Sequence, residues 1–383
     1  MQQASNDCLL HLFGWLEPWE LVFTVSSTNT RLRTLIKANI NRIWKLDSWY
    51  HIRTREQAKM LRVPHDIPCI IRKLDVNPMF QNRPSWLFRF AAGLTSLSVA
   101  QCRFNLREMR ELGRGFRHLP MLRCLDLSGL RYGRNYRGLT FLLRCLSTLN
   151  HLESLDLSRV KCMGHENATQ ALTEALEHLP RLRTLILACE MVDTPNKEES
   201  LVNLLHAVPQ LTHLCLYKVA FDGYYLFQEG YGALCDALER MTGLQYLRWH
   251  ADMVFGYKMR PLASALYHIA PSLVELRLSD GLFDSAALEL LAQLCCRFTA
   301  LRTLSLVSRE VNEEDEEDES GWITLAEQLH HIHFLSTLLL ADCMTDSEVI
   351  EPVCKIIAAL GFSNRDNNPT VIMDLDQWMF RAV

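Results

Sequence analysis

The sequence predicts an α/β repeat solenoid, a curved stack with parallel strands on its concave side and helices on its convex side, preceded by a small all-α module. Three observations predict it. A leucine motif recurs at a nearly constant interval along most of the chain. Apolar residues at helical spacing fill the intervals between its copies. The first 45 residues carry helical apolar spacing but no copy of the motif.

The N-terminal module spans residues 1–45. Leu9, Leu12, Phe13 and Leu16 fall at i, i+3, i+4 and i+7, one face of a helix. Pro18 suits the opening of a second short helix, where its fixed φ and missing N–H cost nothing. Leu32, Leu35 and Ile36 mark a third. Three short helices bury too little to stand alone, so this module is expected to complete its core on a partner. Leu9-Leu10, Leu12-Phe13, Leu16 and Leu21, with Trp44 at the end, resemble an F-box. Where that family usually opens with Leu-Pro this chain has Ala4-Ser5, and Arg31 stands in place of the usual Trp of the third helix. The resemblance implies that Leu9, Leu10, Leu12, Phe13, Leu16, Pro18, Leu21 and Leu32 hold a Skp-type adaptor, and through it a cullin. The alternative use of these helices is as a cap on the repeat array, since every such array needs one.

Residues 46–69 are expected to be a linker or N-terminal cap, and residues 70–383 the repeat domain with its C-terminal cap. The motif is L-x-x-L-x-L. It begins at Leu94, Leu122, Leu152, Leu182, Leu211, Leu244, Leu273, Leu301 and Leu335, at intervals of 28 to 34 residues, with a weaker copy from Ile71. Alternating apolar residues such as Leu97 and Val99 turn one face of a short strand inward. Helical patterns follow: Leu106, Met109, Leu112, Phe116 and Leu119 in one repeat, and Ala171, Leu172, Ala175, Leu176 and Leu179 in another. Strands stack about 4.8 Å apart while helices need about 10 Å, so strands on one side and helices on the other force a curve. The repeat resembles the leucine-rich repeat in its longer, ribonuclease-inhibitor-like form. The usual Asn or Cys after the strand is met by Cys102 and Cys343. Elsewhere Leu130, Val160, Glu190, Val219 or Asp252 holds that place.

An F-box followed by leucine-rich repeats resembles the substrate-recognition adaptors of Skp–cullin–F-box ubiquitin ligases. That resemblance implies a non-catalytic subunit that captures a protein substrate on the repeat surface for ubiquitination. The alternative is a repeat scaffold or inhibitor with no ubiquitin-ligase role. A regulator similar to Ran GTPase-activating proteins ranks third, because nothing in it explains the N-terminal helices.

Strand positions between the motif leucines face the concave surface. Most are small, as in Ser96, Ser98 and Ala100, but the middle repeats differ. There the positions hold His213, Cys215 and Tyr217, then Tyr246, Arg248 and His250, then Glu275, Arg277 and Ser279. Tyr and Arg are enriched at interface hot spots. His213, Tyr217, Tyr246, Arg248, His250, Glu275 and Arg277 are therefore the expected substrate-binding residues. Two nearby stretches, residues 221–227 and 255–257, read as enlarged aromatic loops, and six of the ten tyrosines lie between Tyr217 and Tyr257.

Charge adds two features. Arg103, Arg107, Arg110, Arg114 and Arg117 fall on one face of a helix, and residues 103–144 hold ten arginines against three acids. Such a stripe suits an acidic partner, or simply a solvated outer face. Residues 313–319 are seven consecutive acids, expected to stay solvated. The net charge of −4 argues against wholesale attraction to nucleic acid or membrane. No apolar run reaches the roughly 18 residues of a membrane span, and the start lacks a signal-peptide pattern. Thirteen scattered cysteines without a C-x-x-C pair read as free thiols. The expected location is cytoplasmic or nuclear. His330, His331 and His333 lack partners at ligand spacing, and no nucleotide, hydrolase or metalloprotease motif is present, so neither metal, cofactor nor catalytic residue is expected.

Overall fold

Each copy of the leucine motif becomes a strand, and each interval that the structure shows becomes a helix. The computed structural model describes residues 50–52, 73–76, 93–132, 136–160, 162, 165–188, 197–217, 228–308, 320–341, 351, 353–356 and 370–374. Leu9, Leu10, Leu12, Phe13, Leu16, Pro18, Leu21 and Leu32 lie outside the described residues, as do residues 221–227 and 313–319. The chain divides into two units, Met1–Val160 with Gln170–Leu182, and Lys161–Thr169 with Arg183–Val383.

In the first unit β1 (Tyr50–Ile52), β2 (Lys73–Val76), β3 (Ser96–Ser98), β4 (Cys124–Asp126) and β5 (Ser154–Leu157) pair in parallel and in chain order. β1 is a strand that the leucine motif does not mark. Helix α1 (Leu106–Phe116) follows β3 and α2 (Tyr136–Cys145) follows β4, and the two pack on each other. The division between units runs through α3 (Glu166–Leu176). Leu74, Leu97, Leu125 and Leu155 share one register row and are at most 2% exposed. Their fellow strand leucines and Met109, Leu112, Phe116, Leu139, Leu142 and Leu143 from the helices close the core. Each such side chain contributes roughly 1.5–3 kcal/mol when fully buried.

The turns after these strands repeat a backbone device. Gln101, Gly129 and Arg159, each four residues past a row leucine, adopt φ of 56°, 61° and 59°. The next residue, Cys102, Leu130 or Val160, then points inward and is at most 3% exposed. Its N–H closes onto Val99, Leu127 or Leu157 at 3.2, 3.1 and 3.1 Å. Only Cys102 adds a polar contact, its Sγ donating to Val76 O at 3.4 Å. Burial pushes that thiol up to about 12, with Asp75 and Asp126 adding to the effect. Leu130 and Val160 fill the same place by packing alone, which explains why the irregular residues there still make the repeat.

In the second unit β6 (Thr184–Ala188), β7 (His213–Tyr217), β8 (Tyr246–Val254), β9 (Glu275–Leu282), β10 (Thr303–Ser308), β11 (Thr337–Ala341) and β12 (Thr370–Asp374) pair in parallel and in chain order. Between them run α4 (Lys197–His206), α5 (Gln228–Glu239), α6 (Phe255–Ile269), α7 (Ser285–Leu294) and α8 (Ser320–Gln328), each packed on the next. Leu214, Leu247, Leu276, Leu304 and Leu338 form the central row, at most 3% exposed.

One expectation is corrected here. Residues 255–257 do not form an enlarged loop. The pairing of β8 with β9 resumes past a bulge, with Met253 opposite Gly281 and Val254 opposite Leu282, and α6 opens directly at Phe255. Continued strand pairing satisfies backbone groups that a loop would leave to water. Tyr231, one of the six tyrosines of this stretch, belongs to the core. It is 2% exposed on α5 and packs against Trp249 at 6.1 Å between ring centroids.

Candidate protein-binding surface

Parallel register fixes which side chains become neighbours on the strand face of the second unit. Along one row stand Thr184, His213, Tyr246, Glu275, Thr303 and Thr337, one from each of β6 to β11. Two residues further along each strand stand Ile186, Cys215, Arg248, Arg277, Ser305 and Leu339. Next comes His250 of β8 opposite Ser279 of β9. All seven residues expected from the sequence therefore sit on three adjacent strands, β7, β8 and β9.

Their contacts fall into three groups. The His213 and Tyr246 rings stack, with centroids 4.1 Å apart and planes 10° from parallel. Thr212 Oγ1 lies 2.8 Å from His213 Nδ1, which fixes the imidazole edge. Tyr217 and His250 meet at 6.1 Å in a tilted arrangement. In the third group one carboxylate serves two guanidiniums. Arg248 Nε–H donates to Glu275 Oε1 at 2.7 Å. Arg277 Nε lies 2.8 Å from the same oxygen, an ion pair whose N–H is not aimed at the acceptor.

Exposure within this triad is uneven, and that decides what it can do. The Glu275 side chain is 11% exposed, against 44% for Arg248 and 41% for Arg277. The carboxylate is thus an anchor at the floor and the guanidiniums are the accessible part. Burial disfavours the Arg248 charge, but the hydrogen bond and the charge of Glu275 outweigh it and raise its pKa above the usual guanidinium value. For His213 burial lowers the pKa, an effect that Glu275 opposes and Arg248 reinforces. At neutral pH the imidazole is neutral, so its stack on Tyr246 is between two uncharged rings.

The strand face of the first unit is chemically different. Asp75, Ser98, Asp126 and Asp156 share a row there. Their carboxylates do local work: Ser98 Oγ donates to Asp126 Oδ2 at 2.9 Å, and the N–H groups of Ser128 and Ser158 donate to Asp126 and Asp156 at 2.8 and 2.7 Å. Burial raises the Asp156 pKa in spite of the Ser158 bonds, and the charge of Asp126 adds to the rise. Sequence reasoning missed this row as a feature. The signal was available in the equal offsets of Asp126 and Asp156 from Leu125 and Leu155.

The arginine stripe lies on the helix side of the first unit. Arg103, Arg107, Arg110, Arg114 and Arg117 are all exposed, while the opposite side of α1 carries buried Met109, Leu112 and Phe116. Arg107 pairs with Glu111 at 3.0 Å, and Arg114 lies over the Phe141 ring of α2 at 6.0 Å. Glu108 is committed to a capping box with Asn105. His330, His331 and His333 are exposed, and among the described residues no group of three or more His, Cys, Asp or Glu is arranged for a metal ion. No helix among the described residues is long and apolar enough to cross a membrane.

No protein-family model matches the chain, and no curated protein does. Among solved structures it is similar to an internalin from Listeria monocytogenes, with 15% identity over 81% of this chain and 75% of that one and a TM-score of 0.43. It is similar also to the leucine-rich-repeat protein LegL7 from Legionella pneumophila, with 18% identity over 78% and 88% of the two chains and a TM-score of 0.41. A third, TLR13 in complex with ssRNA13, shares 17% identity over 79% of this chain but 35% of its own, with a TM-score of 0.34. The leucine-rich-repeat architecture of this chain rests on its own strand order and leucine rows.

Proposed function

We propose that this chain captures a protein partner on the strand face of β7 to β9, and that residues 1–45 couple the capture to a Skp-type adaptor of a cullin ubiquitin ligase. The observation that carries the capture half is the anchored Arg248–Glu275–Arg277 triad beside the His213–Tyr246 stack. Rigid aromatic and guanidinium groups, held by their neighbours before any partner arrives, lose little freedom on binding. The coupling half rests on the F-box resemblance of Leu9, Leu10, Leu12, Phe13, Leu16, Pro18, Leu21 and Leu32. On this reading the protein supplies no reacting group. It raises the effective concentration of substrate lysines near a ubiquitin-loaded enzyme and restricts their orientation.

The coupling is tested by co-purifying the full chain, and its L12D/F13A variant, with a Skp-type adaptor. Adaptor bound by the parent and lost in the variant is the expected result. No binding by a folded parent overturns the ligase role and leaves a leucine-rich-repeat scaffold or inhibitor with the same binding face.

A further inference from the structure

We propose that the triad of Arg248, Glu275 and Arg277 is a receptor for a carboxylate side chain, and hence that the partner presents an acidic segment in which apolar residues flank the acid. The inference rests on the strand face being the protein-binding surface, and it names the chemistry of what binds there.

Four features of the site lead to it. First, the charge within the triad does not balance: among the described residues two guanidiniums share one carboxylate, leaving one positive charge at the accessible end. Second, the guanidiniums are already oriented. Arg248 stands directly opposite Arg277 in the register; Arg248 Nε–H is hydrogen-bonded to Glu275 Oε1, and Arg277 is held against the same oxygen by charge at 2.8 Å. A pair fixed in this way offers its remaining N–H donors with little further ordering. Third, the ion that fits is a monoanion. A phosphate dianion would exceed the single spare charge and face the nearly buried Glu275 carboxylate. The adjacent imidazole adds no cation at neutral pH, because burial keeps His213 neutral. A planar carboxylate matches the guanidinium fork. Fourth, the flanks are apolar or aromatic, with the His213–Tyr246 stack in the row on one side and half-buried Tyr217 and His250 on the other. Acids alone would leave those faces bare. Acids among apolar residues would cover them.

The two arginine groups of this molecule thereby separate. The stripe on α1 is long, solvated and partly paired within its own helix. A partner drawn by net positive charge would prefer that stripe. A partner selected by the triad would not distinguish an intact stripe from a neutralised one.

The test uses the full-length chain and fluorescent peptides in which glutamates alternate with leucines, glutamines replace the glutamates, or phosphoserines replace them. The glutamate peptide is expected to bind at least about tenfold tighter than the glutamine peptide, a preference that R248Q/R277Q removes and R107Q/R110Q leaves intact. Should the double variant unfold, R277Q alone serves, because it keeps the Arg248–Glu275 hydrogen bond. Equal binding of the glutamate and glutamine peptides, tighter binding of the phosphoserine peptide, or equal loss in R107Q/R110Q would overturn the proposal. A photo-crosslinking residue in place of Tyr246 separates this failure from that of the binding face. A protein crosslinked there, with no preference for glutamate, overturns only the acidic segment. No crosslink and no peptide binding overturn both.

Discussion

At the scale of single residues, the strand face of the second unit holds a neutral imidazole against a tyrosine ring, and this has a consequence for stability. The His213 pKa lies below its ordinary 6.5 in the fold, chiefly through burial, while Glu275 opposes and Arg248 adds to the lowering. Below 6.5 the unfolded chain therefore binds more protons at this site than the native one, so stability rises with pH across that window. The stability is present above the unfolded value and is lost as pH falls toward the folded one. His165, whose pKa burial also lowers, acts in the same direction. Asp156, raised from 3.8 chiefly by burial, acts oppositely: the stability it contributes is present below 3.8 and is lost as pH rises through its folded pKa. Urea midpoints taken from neutral pH to about pH 5 should therefore fall, and the variant H213Q should show a shallower fall. An identical slope in H213Q would show that the His213–Tyr246 stack does not depend on a neutral imidazole. Part of this site was legible in the sequence, because Tyr246 and Glu275, and likewise Arg248 and Arg277, hold equal places in successive motifs. The convergence of two arginines on Glu275 was not legible. Arg277 reaches Glu275 along its own strand, whereas Arg248 reaches it diagonally from the neighbouring strand, and repeat spacing says nothing about side-chain direction along a strand.

At the scale of elements, the turns and helix entries set what the leucine motif leaves open. The left-handed residues after β3, β4 and β5 are Gln101, Gly129 and Arg159, so one glycine among three left no recognisable signature in the sequence. The N-terminus of α1, in contrast, is written plainly as Asn105 and Glu108, three apart, where each side chain satisfies the other's backbone N–H. A tighter constraint sits where α7 and α8 begin. Gly321 N–H donates to Ser285 Oγ at 3.0 Å, and a Cβ on Gly321 would stand 2.6 Å from Ser285 Cα and 2.9 Å from its carbonyl oxygen. Both obstacles are backbone, so neither yields by a rotamer change. G321A should therefore destabilise the chain by about 1–3 kcal/mol, the range for overpacking a tight contact. S285A removes the Oγ that accepts from Gly321 N–H and meets Ser320 Oγ at 3.4 Å without adding bulk, and should cost about 1 kcal/mol or less. Denaturant midpoints of the two variants check the order. A neutral G321A would mean that α7 and α8 can part without cost.

At the scale of the whole second unit, stability should behave as a property of neighbours. Its central row of Leu214, Leu247, Leu276, Leu304 and Leu338 joins consecutive repeats, and each leucine meets its counterparts on the adjoining strands. No one repeat of this kind buries its apolar face without the next, so interface terms between neighbours carry much of the free energy. Truncation of any one of these leucines to alanine should cost about 2–5 kcal/mol. The spacing also makes a sharper claim, about coupling. Leu247 and Leu276 stand on adjoining strands about 4.8 Å apart, so the cavity left by one changes how far the other site can collapse. Leu214 and Leu338 are separated by the three strands between them, a distance of roughly 19 Å at the usual strand spacing. The double variant L247A/L276A should depart from the sum of its single variants by about 0.5–3 kcal/mol, while L214A/L338A should be additive to within about 0.5 kcal/mol. Conservative swaps to valine give the same comparison with less risk of unfolding the chain outright. Strong coupling in the distant pair would mean that β7 to β11 fold as a single indivisible body and not as a chain of neighbouring interfaces. Additivity in the near pair would mean that each strand leucine is held by its own helix, and that the row seen in the sheet is a matter of geometry and not of energy.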